Sequence, residues 1–222
     1  MELSKRLYIA KGISPELSNL EKRLSISNFA LYRFFPKIFF YFAFWLNLCP
    51  FVLILTANSI EEKVRYVEWS NSSILLVISV IVYVNCIFSW LYFVYRSNSI
   101  ANTLHPEIKI VLSPWKAIGW FFVPIVNLIK PLTNTLRVWK KSGGTRSSMM
   151  FYLWWAMFLM FIVGAPLVVI LIKSIASRTG NEILSLNLYA LLHGFVALSI
   201  YFAIRVITKV CDLQKYGSLD YD

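Results

Sequence analysis

Residues 73–95 read SILLVISVIVYVNCIFSWLYFVY, without one Asp, Glu, Lys or Arg. A helix needs about 20 mostly apolar residues to cross ~30 Å of hydrocarbon, and this stretch is long enough. A soluble core helix of the same length would carry a polar face; this one has none. Three further windows share the property: Ile38 to Ala57, Phe151 to Ile172, and Leu184 to Ile204. The whole chain of 222 residues is 58% hydrophobic and 15% charged, whereas soluble domains run near one half and about one quarter. The sequence therefore predicts an all-α, polytopic membrane protein. Its four spans fall at about 38–57, 73–95, 151–172 and 184–206, within one membrane domain over 38–210. Residues 1–37 form a cytoplasmic amphipathic N-terminal segment and 211–222 a cytoplasmic tail.

Charge sets the expected direction. The net charge is +11, from 22 basic and 11 acidic residues. Seven basic residues precede the first window (Lys5, Arg6, Lys11, Lys22, Arg23, Arg33, Lys37). Eight lie between the second and third (Arg96, Lys109, Lys116, Lys130, Arg137, Lys140, Lys141, Arg146). Three follow the fourth (Arg205, Lys209, Lys215), and only Lys63, Arg65, Lys173 and Arg178 fall in the other two loops. Lys and Arg collect on the cytoplasmic side, so both termini are expected there, in a bacterial inner membrane. The same bias accounts for the basic residues without nucleic acid. It favours anionic lipid head groups, which attract juxtamembrane cations at ~1 kcal/mol each. No cleavable leader is apparent, because the first apolar run is already long enough to span.

Outside the windows, Ser14 and Pro15 suit the start of a short amphipathic helix over 14–25, with Leu17, Leu20 and Leu24 on one face. The loop from Asn58 to Ser72 reads as short and slightly acidic. The stretch 113–141 is more individual. Ser113-Pro114 reads as a capped helix start, and Trp115, Trp120, Phe121 and Phe122 crowd together before Pro124. The apolar run Ala117 to Ile129 would reach only ~20 Å as a helix, so the segment is expected to be interfacial or re-entrant. Pro131 then suits the start of a second amphipathic helix. It has Leu132, Leu136 and Trp139 on one face, with Asn134, Arg137, Lys140 and Lys141 off it. Gly143-Gly144 reads as a flexible turn.

The stretch Phe88 to Lys141 carries Trp90-Leu91, Tyr95-Arg96, Asn98, Ser113-Pro114, Trp120-Phe121-Phe122-Val123-Pro124, Asn127-Leu128, Pro131 and Val138-Trp139. This pattern resembles a bacterial family of uncharacterised multi-pass membrane proteins, a domain-of-unknown-function family. The resemblance covers about a quarter of the chain. It implies four spanning helices with a shared cytoplasmic-side segment between the second and third, and it supplies no activity.

Polar residues inside a span are the first place to look for function. Asn85, Ser89, Tyr92 and Arg96 recur at helical spacing, with Asn98 beside them. They read either as a polar cavity face or as interhelical hydrogen bonds, with the second favoured. His193 lies deep in the fourth window, with Arg205 on roughly the same face. With no intramembrane acid beside it, His193 reads as bonded to a neighbouring helix. Ala190, Gly194 and Ala197 form a small-residue face for close helix contact. Pro50, Gly164 and Pro166 mark expected kinks. No His-Glu-x-x-His or Gly-x-Ser-x-Gly pattern occurs, and the three cysteines form no disulfide framework. Neither enzyme chemistry nor a metal or cofactor is expected. The leading expectation is an assembly, scaffold or sensor component that pairs with itself or with a cytosolic protein. Its partner segment would comprise Trp115, Trp120, Phe121, Phe122, Pro124, Asn127, Pro131 and Trp139. The rival is an oligomeric channel or membrane effector in bacterial stress or phage defence.

Overall fold

The computed structural model describes residues 29–104, 112–123, 126, 129–144, 149–160, 164–179 and 182–219. The helix expected over 14–25, together with Pro124 and Asn127, lies outside them. In chain order the helices are α1 (Phe29–Thr56), α2 (Ile60–Ser70), α3 (Ser73–Leu104), α4 (Pro114–Gly119), α5 (Lys130–Lys141), α6 (Met149–Leu159), α7 (Ala165–Thr179) and α8 (Glu182–Leu219). A 3-10 turn, Trp120–Phe122, continues α4. The fold is all-helical, with no strand among the described residues.

Three helices are long and apolar enough to cross a membrane: Phe34–Thr56 in α1, Ser73–Asn102 in α3 and Ile183–Gln214 in α8. Each outruns its charge-free window at one end or both, because charged residues such as Lys37, Arg96 and Arg205 interrupt hydropathy but not a helix. α1 runs on through Pro36 and Pro50. The span expected over 151–172 is described in two parts, α6 and α7, with residues 161–163 between them outside the described residues. α6 has 11 residues and α7 has 15, about 16 Å and 22 Å of helix, so neither reaches ~30 Å alone. The chain is π-helical at Met160 and Gly164, and Pro166 follows at the start of α7 with no N–H to give. The kink expected at Gly164 and Pro166 therefore falls where π-helical turns lie between α6 and α7.

Small residues position α8 at the centre. It packs most extensively along α1 and also meets α3, α6 and α7. Ala190 and Ala197 are buried there, and a Cβ on Gly194 would lie 2.7 Å from the Phe51 ring. The backbones thus approach where side chains are smallest, as read from the sequence. Aromatic rings fill the wider part of the bundle. Trp90 of α3 and Trp154 of α6 stand 4.7 Å apart by ring centroids, with Phe40, Phe93 and Trp155 around them. Large apolar side chains point outward instead: Trp45, Ile74, Phe88 and Ile170 are all exposed. That is the surface a helix bundle turns to lipid, since its backbone polar groups are satisfied within the helices.

The loop expected at 58–72 contains a helix. Ser59 caps α2 by accepting from the Glu62 N–H at 3.1 Å, while the Glu62 carboxylate accepts from the Asn58 N–H at 3.0 Å. This is close to a capping box.

Candidate functional site

Two polar features stand out, one at mid-helix and one at an end of the bundle. The first centres on Asn47 of α1, which is 3% exposed. Its amide nitrogen donates to the Ala43 carbonyl at 2.8 Å and to the Tyr83 hydroxyl of α3 at 2.6 Å. With both amide hydrogens used, its Oδ1 is the acceptor for His193 Nδ1 of α8, 3.1 Å away. One side chain thus joins all three long helices. Tyr189 packs edge-on against His193 with centroids 4.9 Å apart, and its hydroxyl donates to Asn71 Oδ1 at 2.7 Å. Lys63 of α2 donates to Asn187 of α8 at 2.9 Å. These two contacts fasten α2 across the N-terminal end of α8.

The Asn47 contacts also act as a ruler. From Asn47 to Lys37, from Tyr83 to Arg96 and from His193 to Arg205 are 10, 13 and 12 residues, or about 15–20 Å of helix. In the opposite direction, Asn47 to Ala57, Tyr83 to Ser73 and His193 to Glu182 are 10, 10 and 11 residues, about 15–17 Å. The Asn47 cluster thus lies about 15–20 Å of helix from these positions in both directions, on the order of half a hydrocarbon core.

The second feature is a platform at the Lys37/Arg96/Arg205 end. α4 packs on α3, and α5 packs on α3, α6 and α8. Trp115 stands edge-on to Tyr95 of α3, centroids 5.1 Å apart, and is 72% exposed. The Lys130 ammonium lies 5.3 Å from the centre of the Trp120 ring, a cation–π contact. Lys116, Arg137 and Lys140 are exposed, as is Phe122 at 70%. The α5 face toward the bundle carries Pro131, Asn134, Thr135, Val138 and Trp139. Lys141 is also buried and donates to Asn102 Oδ1 at 3.2 Å. Gln214 of α8, fully buried, donates to the Ser97 carbonyl at 2.9 Å.

Several expectations need correction at this level. Asn134 and Lys141 lie within the packed face of α5, not off it, because α5 is covered by three helices and not by one. Trp139 and Pro131 are core, Phe121 packs partly against the core, and among the described residues of the expected partner segment only Trp115 and Phe122 are strongly exposed. Ser113 begins α4 but makes no side-chain cap. Gly143-Gly144 is a defined cap, not a flexible turn. Gly143 has φ +87°. Its N–H bonds to the Lys140 carbonyl, and the Gly144 N–H bonds to the Trp139 carbonyl. This is the pairing of a Schellman motif, and Gly144 rests directly on the Trp139 indole.

The stripe on α3 does not act as one face. Asn85 turns its amide back to the Ile81 carbonyl of its own helix at 2.8 Å. Tyr92 stands edge-on to Phe35, and Arg96 is half-buried. Ser89 and Asn98 are buried; Asn98 donates to the Val94 carbonyl at 2.7 Å. Among the described residues, Ser89 Oγ, Asn98 Oδ1 and Asn134 Oδ1 have no hydrogen-bonding partner. His193 has the neighbouring-helix bond expected of it, whereas Arg205 is exposed and apart from it. Asn47 and Tyr83 were missed, although each is an isolated polar group in an apolar run. No group of three or more His, Cys, Asp or Glu is placed to hold a metal among the described residues.

The chain belongs to the family described as Domain of unknown function (DUF4328), whose model matches residues 61–211. No curated protein and no solved structure matches it.

Proposed function

We propose that this member of the DUF4328 family is a non-catalytic, multi-pass protein of the bacterial inner membrane, serving as a scaffold or sensor component that assembles with itself or a cytosolic protein. In this reading α6 and α7 together make the third of four crossings. N- and C-termini both face the cytoplasm, on the side where the basic residues collect. The Asn47 cluster then sits near the bilayer midplane.

The observation that carries the reading is the closure of Asn47. Both of its amide hydrogens and its carbonyl are engaged by α1, α3 and α8. A group satisfied in this way ties helices together, whereas a conducting path would leave polar groups to water. The assembly surface is the exposed part of the α4–α5 platform. A Trp115→Ala/Phe122→Ala chain is expected to lose chemically cross-linked assemblies in membranes while keeping its thermal stability. An unchanged cross-linking profile would overturn the reading.

A second reading, an oligomeric channel, draws on the unpartnered buried oxygens of Ser89 and Asn98 on α3. Ion flux in proteoliposomes that is sensitive to Asn85→Leu or Ser89→Ala would favour it over a scaffold.

A further inference from the structure

The platform differs from an ordinary basic loop in its height, its exposure and the mixture of side chains it shows. Height comes from the ruler. Tyr95 is 12 residues beyond Tyr83 on α3, about 18 Å along the helix from the Asn47 level. Trp115 lies against Tyr95 and therefore sits where hydrocarbon gives way to head groups, the level that Trp prefers. Trp115 is exposed there, and Phe122, at the end of the turn that continues α4, is exposed too; in water both would be costly apolar surface. Beside them Lys116, Lys130 and Arg137 are also exposed. Lys130 is held over the Trp120 ring. The ring takes one face of the ammonium and leaves the rest of it outward.

We propose that this platform binds anionic phospholipid: Trp115 and Phe122 enter the acyl boundary while Lys116, Lys130 and Arg137 meet the phosphates. The charge is complementary to phosphate, and Trp115 stands at the depth where acyl chains meet head groups. This rests on the long helices being membrane spans, but not on which side the platform faces. Platform and tie then have separate tasks: the Asn47 cluster holds the spans, and the platform reads the composition of the leaflet.

The test uses the full-length protein in nanodiscs of phosphatidylcholine and phosphatidylglycerol. Native mass spectrometry counts the lipids retained on release. Wild type is expected to retain phosphatidylglycerol preferentially. The Lys116→Gln/Lys130→Gln/Arg137→Gln chain should lose about fivefold of that preference per neutralised residue, following the ~1 kcal/mol attraction of one cation to an anionic surface. Arg65→Gln, on the opposite end of the bundle, should leave it unchanged. Equal retention of the two lipids by wild type, or an unaltered preference in the triple variant, would overturn the proposal. A chain that failed to enter the discs would overturn the spanning reading itself, a distinct result.

Discussion

His193 Nδ1 lies 3.1 Å from Asn47 Oδ1, across the contact between α1 and α8. Asn47 is fixed from the other side by Tyr83, so the bond to His193 closes a three-helix link. Interhelical hydrogen bonds of this kind average ~0.6 kcal/mol, with a maximum near 1.7. An Asn47→Leu chain is expected to lose about 1–2 kcal/mol, since it forfeits two such bonds. A double-mutant cycle with His193→Leu, read by thermal unfolding in detergent, should give a coupling of at least ~0.5 kcal/mol. Strict additivity would show that the two residues do not stabilise one another.

Gly194 lies in that same contact, against Phe51 of α1. Its missing side chain leaves room for the Phe51 ring, and an added methyl would need α1 and α8 to part or the ring to turn. Gly194→Ala is expected to cost about 1–3 kcal/mol. Adding Phe51→Leu should recover much of the loss, which a melting series of the two single variants and the double variant would reveal.

At the end of α5 the two glycines are not equivalent. Gly143→Ala puts a Cβ on a left-handed residue, a cost of about 1–2 kcal/mol. Gly144→Ala instead drives a methyl into the Trp139 indole, and Trp139 cannot yield without disturbing Phe151, 5.2 Å away by centroids. Gly144→Ala is expected to be the more damaging of the two. Limited proteolysis of the α5–α6 connection should rank them in that order.

Two tryptophans of the 113–141 stretch should separate cleanly. Trp139, 7% exposed, is expected to cost about 3–5 kcal/mol when replaced by Ala. Trp115→Ala should change stability by only about 0.5 kcal/mol while weakening lipid retention. Equal thermal losses would mean that Trp115 belongs to the packed bundle.

Composition and hydropathy made the long helices legible, because lipid demands a long uncharged run and 38–57, 73–95 and 184–206 each supply one. The same criterion merged α6 with α7. It counts charges and cannot see that the chain is π-helical at Met160 and Gly164, just before Pro166. α2 is short and without an apolar run, so hydropathy gives no sign of it, although Ser59 and Glu62 have capping-box spacing. On α5, periodicity found the Leu132–Leu136–Trp139 face. It could not show that α3, α6 and α8 would cover Asn134 and Lys141 as well. The tie at Asn47 was the least legible of all. Its three members lie on three helices, and pattern along one helix does not reveal which polar group faces which. The signal available was weaker: a lone Asn in a window without charges, which a helix tolerates only with a partner.

The most direct test of a closed tie within the membrane is the reactivity of cysteines placed one at a time in a chain whose native Cys49, Cys86 and Cys211 are replaced by Ala. Intact cells and inverted vesicles would each be treated with a charged, membrane-impermeant thiol reagent. Asn47→Cys is expected to stay unmodified in both, Arg65→Cys to react from outside, and Lys140→Cys to react only in inverted vesicles. Modification of Asn47→Cys from either side would contradict a closed tie, since water would then reach the level at which α1, α3 and α8 are joined.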